Sequence, residues 1–234
     1  MIRIGVDVGG TNTDAVVMKG KKFLGGAKSP TTSDILTGVE NAIKSALSES
    51  NTSSDDVDVL IIGTTHFVNA LVQRTKLAQT GVIRMCLPSG SSILPFADWP
   101  NSLVSGMKGT YKLIKGGYEM TGAEISQLDH NELISAAREL RDMGCNQIAI
   151  SSVFATVRGD MEQEALEILT KEMPDLSITL SKSIGGMGLL ERENAAIINA
   201  SLRPLAAEVI DSFKLLQKSL DLSCPMFFTR NDGT

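Results

Sequence analysis

Basic residues, aromatics and cysteines are few in this chain. Lysine and arginine number 22 against 27 aspartates and glutamates, a net charge of −5, and no basic stretch is interleaved with aromatics. A nucleic-acid role therefore has no electrostatic support, and no nucleic-acid partner is expected. The three cysteines, Cys86, Cys145 and Cys224, are isolated and odd in number, so they make neither a metal-ligand spacing nor a disulfide framework. Such thiols point to a reducing, cytoplasmic setting. No apolar run reaches the roughly 18 residues of a membrane span. The short alternating N-terminus carries Arg3 and Asp7, unlike a signal peptide. Two common nucleotide loops are also missing: there is no GxxxxGK followed by Ser or Thr, and no GxGxxG opening a helix.

What is present starts at once, in IRIGVDVGGTNTDAVVM, residues 2–18. Ile2, Ile4, Val6 and Val8 alternate with Arg3, Gly5 and Asp7, which predicts a β-strand. Gly9 and Gly10 break it, free to take positive φ and to let a ligand approach the backbone. Ala15–Met18 resumes as a second strand, so the stretch reads as a β-hairpin with a polar tip. Amides at Gly9, Gly10 and Thr11 can converge on an anion as a backbone nest. The Thr11 and Thr13 hydroxyls, with Asn12 between them, can donate to phosphate oxygens. Asp7 and Asp14 repel phosphate but can hold a hydrated Mg²⁺. The plainer alternative is an ordinary glycine turn.

The rest of the chain alternates strand and helix, the mark of an α/β fold. Phe23–Lys28 reads as a third strand, and Ser33 or Asp34 can cap a helix running to Ser48. Val57–Ile62 is an apolar strand ending in Gly63-Thr64-Thr65-His66. There the threonines either meet an anion at a helix start or simply cap that helix. His66 reads as a packed or solvent-facing histidine. Gly81–Cys86 is another strand. Pro88–Gly117 is irregular, with Tyr111–Ile114 and Tyr118–Met120 as a candidate hairpin. Asp129 and Glu132 open a helix as a capping box, and Gly144 closes it. Strands follow at 146–153 and 177–180. Between them an acidic helix at 160–173 reads Glu162, Glu164 and Glu167 as a solvated face. Glu191–Leu220 reads as a helix bent or restarted near Pro204, on which Arg192 and Asn199 can share a face. Pro225–Thr229 is a last strand.

DVGGTNTD resembles the first phosphate loop of the actin, sugar-kinase and heat-shock ATPase superfamily. Together with GTTHFVNAL, LLERENAAIINASLRPLA and the terminal NDGT, it resembles the N-terminal part of the hydantoinase A and 5-oxoprolinase family. The resemblance implies a ribonuclease-H-like lobe, a mixed sheet flanked by helices, as the first half of a two-lobe architecture. It divides the chain into an N-terminal domain at 1–182 and the start of a second region at 183–234. It implies an ATP-dependent hydrolase of cyclic amides, with ATP and Mg²⁺ as cofactors and a small molecule as substrate. Asp7 and Asp14 then serve catalysis, Asp7 also as metal holder. Gly9, Gly10, Thr11, Asn12 and Thr13 cradle phosphate, and Thr64, Thr65, Asn69, Glu191, Arg192 and Asn199 line the cleft. No second DxGGT follows Asp14, so a missing C-terminal lobe or companion subunit is expected, with self-association as a further possibility. Alternatives are a carboxylase subunit, a small-molecule kinase, or a non-catalytic nucleotide-binding module.

Overall fold

The structure, a computed structural model, describes residues 1–30 and 35–229. The expected helix cap at Ser33 or Asp34 and the terminal NDGT lie outside the described residues. The chain forms two compact units, Met1–Gln73 with Leu205–Thr234, and Arg74–Pro204.

The first unit holds strands β1 (Ile2–Val8), β2 (Asn12–Lys19), β3 (Lys22–Pro30) and β4 (Val59–Thr64), with helix α1 (Ile35–Glu49) before β4 and α2 (His66–Gln73) after it. Its sheet has the order β3-β2-β1-β4-β9, where β9 is Met226–Phe228. β1 pairs antiparallel with β2 and parallel with β4, and β4 is parallel to β9, so the sheet is mixed. The period-two pattern decides the packing. Ile4, Val6, Val8, Ala15, Val17, Leu60 and Ile62 are buried in one cluster with Val39, Ile43 and Ala46 of α1. Phe213 and Leu216, from the later part of the last helix, join the same cluster. The alternate residues of β1 and β2, among them Gly5, Asp7, Asp14 and Val16, are left on the opposite face.

The second unit is built on a parallel sheet, β6-β5-β7-β8. Its elements are β5 (Thr80–Leu87), α3 (Asn101–Gly106), β6 (Thr110–Lys115), α4 (His130–Asp142), β7 (Gln147–Ser152), α5 (Asp160–Glu172) and β8 (Ser177–Leu180). The first part of α6 (Leu189–Ser219) completes it. Asp129 caps α4 as expected, accepting from the Asn131 and Glu132 amides, and Gly144 ends it at φ +96°. One cluster on the sheet contains Leu133, Ala137 and Leu140 of α4 with Ala165 and Leu169 of α5. Another contains Val82 and Ala149 with Ala196, Ile197 and Ala200 of α6.

Three expectations change. Tyr111–Ile114 is not one arm of a hairpin with Tyr118–Met120. It lies in β6, parallel to β5, and Tyr118 makes only an isolated bridge to Glu124. α6 runs through Pro204 as one helix rather than restarting there. The compact units also do not follow the 1–182 and 183–234 division. β9 pairs with β4 and so returns the chain's last described stretch to the first unit, while 183–204 stays with the second.

Candidate functional site: the carboxyl edge of the first sheet

β1, β4 and β9 are parallel, so their carboxyl ends meet at one edge. In open α/β sheets that edge is where ligands bind. Register sets a row across it: Lys28 of β3 opposite Asp14 of β2, Asp14 opposite Asp7 of β1, and Asp7 opposite Gly63 of β4. A shallow cavity of about 370 Å³ opens beside this row, lined by Gly5, Asp7, Asp14, Val16, Gly63 and Thr229 among others. Like charges directly opposite on antiparallel strands repel. The chain answers half of that problem: Lys28 Nζ lies 3.3 Å from Asp14 Oδ1. Asp7 is exposed, and among the described residues no hydrogen bond or ion pair reaches its carboxylate.

The hairpin tip is tighter than the sequence predicts. The Gly9 amide is not left open to a ligand. It donates to the Asn12 carbonyl at 3.0 Å and closes the turn. Neither Gly9 nor Gly10 takes positive φ. Gly9 is instead confined, because a Cβ would come 3.0 Å from the Asn12 oxygen, whereas a Cβ on Gly10 would meet nothing within 4 Å. Thr13 is fully buried, so its hydroxyl does not face solvent, while Thr11 and Asn12 are exposed. The exposed residues of the tip are thus Gly10, Thr11 and Asn12.

At the end of β4 the threonine hydroxyls are engaged locally. Thr64 Oγ1 accepts the His66 amide at 3.1 Å, and Thr65 Oγ1 accepts the Asn69 side-chain amide at 3.4 Å. The capping alternative describes Thr64 here.

The remaining expected cleft residues belong to the second unit and divide sharply. Glu191 is exposed and lines a cavity with Arg84 and Leu190. Arg192 is only 1% exposed and is fully committed to the fold. Its Nε donates to Ser181 Oγ at 2.9 Å and its Nη2 to the Ser152 carbonyl at 2.7 Å, while Nη1 gathers the Gly186, Met187 and Gly188 carbonyls. Asn199, seven residues further along the same helix, is exposed. Arg192 sits in the first turn of α6 and is drawn into the ends of β7 and β8.

Sequence reading missed the charges around it. Glu162, expected on a solvated face, is buried. It accepts from the Ser152 amide, the Ser181 hydroxyl and the Lys182 amide. Burial pushes its carboxyl above the ordinary range, against the pull of those donors and of Arg192. Arg84 pairs with Glu193, Nε to Oε2 at 2.8 Å, and Ser151 also donates to Glu193. The available signal was positional: Arg84 interrupts an otherwise apolar β5, and a charge inside a buried strand needs a partner.

Fold and site together describe an α/β protein with a ribonuclease-H-like mixed sheet and a glycine-tipped hairpin beside an exposed aspartate. Residues 3–173 match the family described as the hydantoinase/oxoprolinase N-terminal region, and the chain belongs to that family. It is 23% identical over 249 aligned positions to the caprolactamase subunit alpha of Pseudomonas jessenii, covering 99% of this chain and 35% of that one. The crystal structure of the ATP-dependent caprolactamase from the same organism superposes with a TM-score of 0.77 at 22% identity, over 97% of this chain and 35% of that one. A nucleotide-free acetone carboxylase, from work on ATP-dependent acetone carboxylation, gives 0.73 at 18% identity, over 94% of this chain and 34% of that one. The chain spans about 35% of the length of the caprolactamase chains it matches.

Proposed function

We propose that the chain is the nucleotide-binding N-terminal part of an ATP-dependent cyclic-amide hydrolase that needs further polypeptide, a C-terminal lobe or companion subunit, to act. The observation that carries this reading is Asp7: an exposed carboxylate at the carboxyl edge of β1, without a partner among the described residues, beside an open cavity. That donor set fits a hydrated Mg²⁺, which takes oxygen ligands and keeps several waters. Asp7 would hold the ion through its waters, and Asp14 would order the site from the next strand while Lys28 balances its charge. The Gly10 and Thr11 amides and the Thr11 hydroxyl would bind phosphate oxygens. ATP supplies the driving force that an unstrained, resonance-stabilised amide requires before water can open it. The similarity to the ATP-dependent caprolactamase supports the reaction class. The similarity to acetone carboxylase supports a second reading, an ATP-dependent carboxylase subunit on the same scaffold.

Calorimetric titration with ATP and Mg²⁺, on the chain assembled with the polypeptide that completes a relative's length, tests the proposal. Asp7→Ala should weaken Mg-nucleotide binding at least tenfold. Gly10→Val should do the same without harming the fold, since its side chain enters open space. Unchanged affinity in both variants would refute the phosphate-loop reading. Ring-opened product from a lactam panel favours the hydrolase over the carboxylase.

A further inference from the structure

The first sheet is packed on one face only. α1 and the later part of α6 both lie on the face that carries Ile4, Val6, Val17 and Ile62. The opposite face keeps apolar side chains in solvent: Val16 is 38% exposed, Phe23 57% and Phe227 59%. Register orders that face into rows. At the carboxyl edge runs the charged row of Lys28, Asp14 and Asp7. The next row is apolar, with Val16 opposite Gly5, Gly5 opposite Ile61, and Ile61 opposite Phe227 of β9. Beyond it Arg3 lies between Met18 and Val59, and its guanidinium is spent on the Gly20 carbonyl at 2.7 Å. Val16 stands as a ridge between two glycines. A Cβ on Gly5 would come 3.4 Å from Val16 Cγ2, and one on Gly26 would come 3.2 Å from Val16 Cγ1 and from Phe23 Cε2. Glycine inside a strand marks a place where another backbone can approach closely.

The strands themselves are written for cover on both sides. β4 reads VLIIGT and β9 reads MFF. A strand with one face in water alternates apolar with polar, whereas parallel strands buried on both faces are near-continuous apolar runs, and what buries them is helices. β1, β4 and β9 are parallel. The chain matches an N-terminal region and spans about 35% of the caprolactamase subunit, so that relative carries further polypeptide. Thr229 follows β9, its amide donating to the Ile62 carbonyl at 2.9 Å, and it lines the cavity beside Gly5 and Ile61. Polypeptide continuing from β9 thus leaves beside the uncovered face. We infer that Val16, Ile61 and Phe227 dock an amphipathic helix from the polypeptide that follows this region in its relatives, seated over Gly5 with the Asp7 row left open at its end. The inference rests on the need for further polypeptide proposed above and gives that polypeptide a place. The docked helix walls the apolar side of the cavity whose charged side would take Mg-nucleotide.

The test mixes the whole 234-residue chain, without nucleotide, with the part of the Pseudomonas jessenii caprolactamase subunit alpha that this chain does not span. Analytical ultracentrifugation should detect a one-to-one complex. Val16→Lys and Phe227→Lys alter exposed positions and so leave the fold intact. Each should weaken the complex about tenfold or more, because a charge buried in an apolar contact is costly. Asp7→Ala, in the charged row, and Met143→Lys, at an exposed position of the second unit, should assemble as the parent does. The chain alone should bind the apolar dye ANS, and the double lysine variant should bind less of it. No complex with the parent, equal complexes in the lysine variants, or unchanged dye binding in the double variant would each overturn the assignment. A dimer of the chain that the lysine variants break and the added polypeptide fails to displace would overturn it in favour of a second copy. A complex that the lysine variants break but that ignores Mg-nucleotide would leave the docking face standing and sink the nucleotide reading. Mg-nucleotide binding by a complex that the lysine variants leave intact would do the reverse.

Discussion

The two sheets end alike and spend their charges in opposite ways. At the carboxyl edge of the first, Asp7 is exposed and unpaired among the described residues, and Asp14 relies on Lys28, an ion pair whose side chains are 48% and 60% exposed. At the carboxyl edge of the second, Arg84, Glu193, Glu162 and Arg192 are at most 1% exposed, and each is held by hydrogen bonds to its own unit. An exposed carboxylate costs the fold little and stays available to a ligand. A buried charge must be answered from within, or the fold loses stability. The first edge is thus suited to binding charge, and the second uses charge to fix α6 and the 186–188 loop against the strand ends.

Breaking that contrast should be most visible in the second unit. Glu193→Ala leaves Arg84 buried without its counter-ion and should cost about 3–5 kcal/mol in urea denaturation. The double variant Arg84→Met with Glu193→Leu removes both charges and should recover most of the loss. Asp7→Asn, an exposed position, should change stability by no more than about 0.5 kcal/mol. If Glu193→Ala were equally silent, the buried pair would not be holding this edge together.

The next effect is a pH dependence. Tyr118 is 1% exposed, its hydroxyl accepts the Met161 amide at 3.2 Å, and Arg158 lies 4.6 Å from its ring centroid. Burial, then its bond to the Asp160 carboxylate, pushes its pKa up to about 12. Above pH 10 the unfolded phenol ionises while the folded one keeps its proton, so the folded state binds more protons and stability falls as pH rises. The contribution is intact below about pH 10 and declines by roughly 2–3 kcal/mol by pH 12. Comparing alkaline denaturation of the parent with Tyr118→Phe isolates it, because the variant lacks this slope. In Tyr111→Phe, the remaining tyrosinate absorbance should rise with a midpoint near 12.

How much of this was readable beforehand depends on the range of the interaction. The β1–β2 hairpin, the Asp129 cap and the strand at 177–180 rest on neighbours in sequence, and their patterns showed them. The pairing of β6 with β5, and of β9 with β4, depends on residues far apart, and no local period reports it. The site divides the same way. The row from Asp14 to Asp7 follows from hairpin register, so the two carboxylates could be placed together. Lys28 joins it through a third strand, and Gly63 and Thr229 through β4 and β9, which only topology brings near. Arg192 was picked out for its motif, but burial gave it a structural task. Glu162 was misplaced because a helix-face argument does not see the strand ends and the Ser181–Lys182 turn that lie against its first turn.

The smallest effect tests whether Asp7 and Asp14 act as one site. The Lys28–Asp14 pair is exposed and worth about 0–1 kcal/mol by itself. Lys28→Met should therefore lower the melting temperature by no more than about 2–4 °C without divalent cations. It also leaves two carboxylates facing each other across β1 and β2 with no counter-charge. A divalent cation can supply what the lysine gave. Millimolar Mg²⁺ should then stabilise Lys28→Met more than the parent, and adding Asp7→Asn should abolish that difference. Equal Mg²⁺ responses in parent and variant would show that the lysine and the cation do not answer the same charge, and the contrast between the two sheet edges would lose its chemical basis.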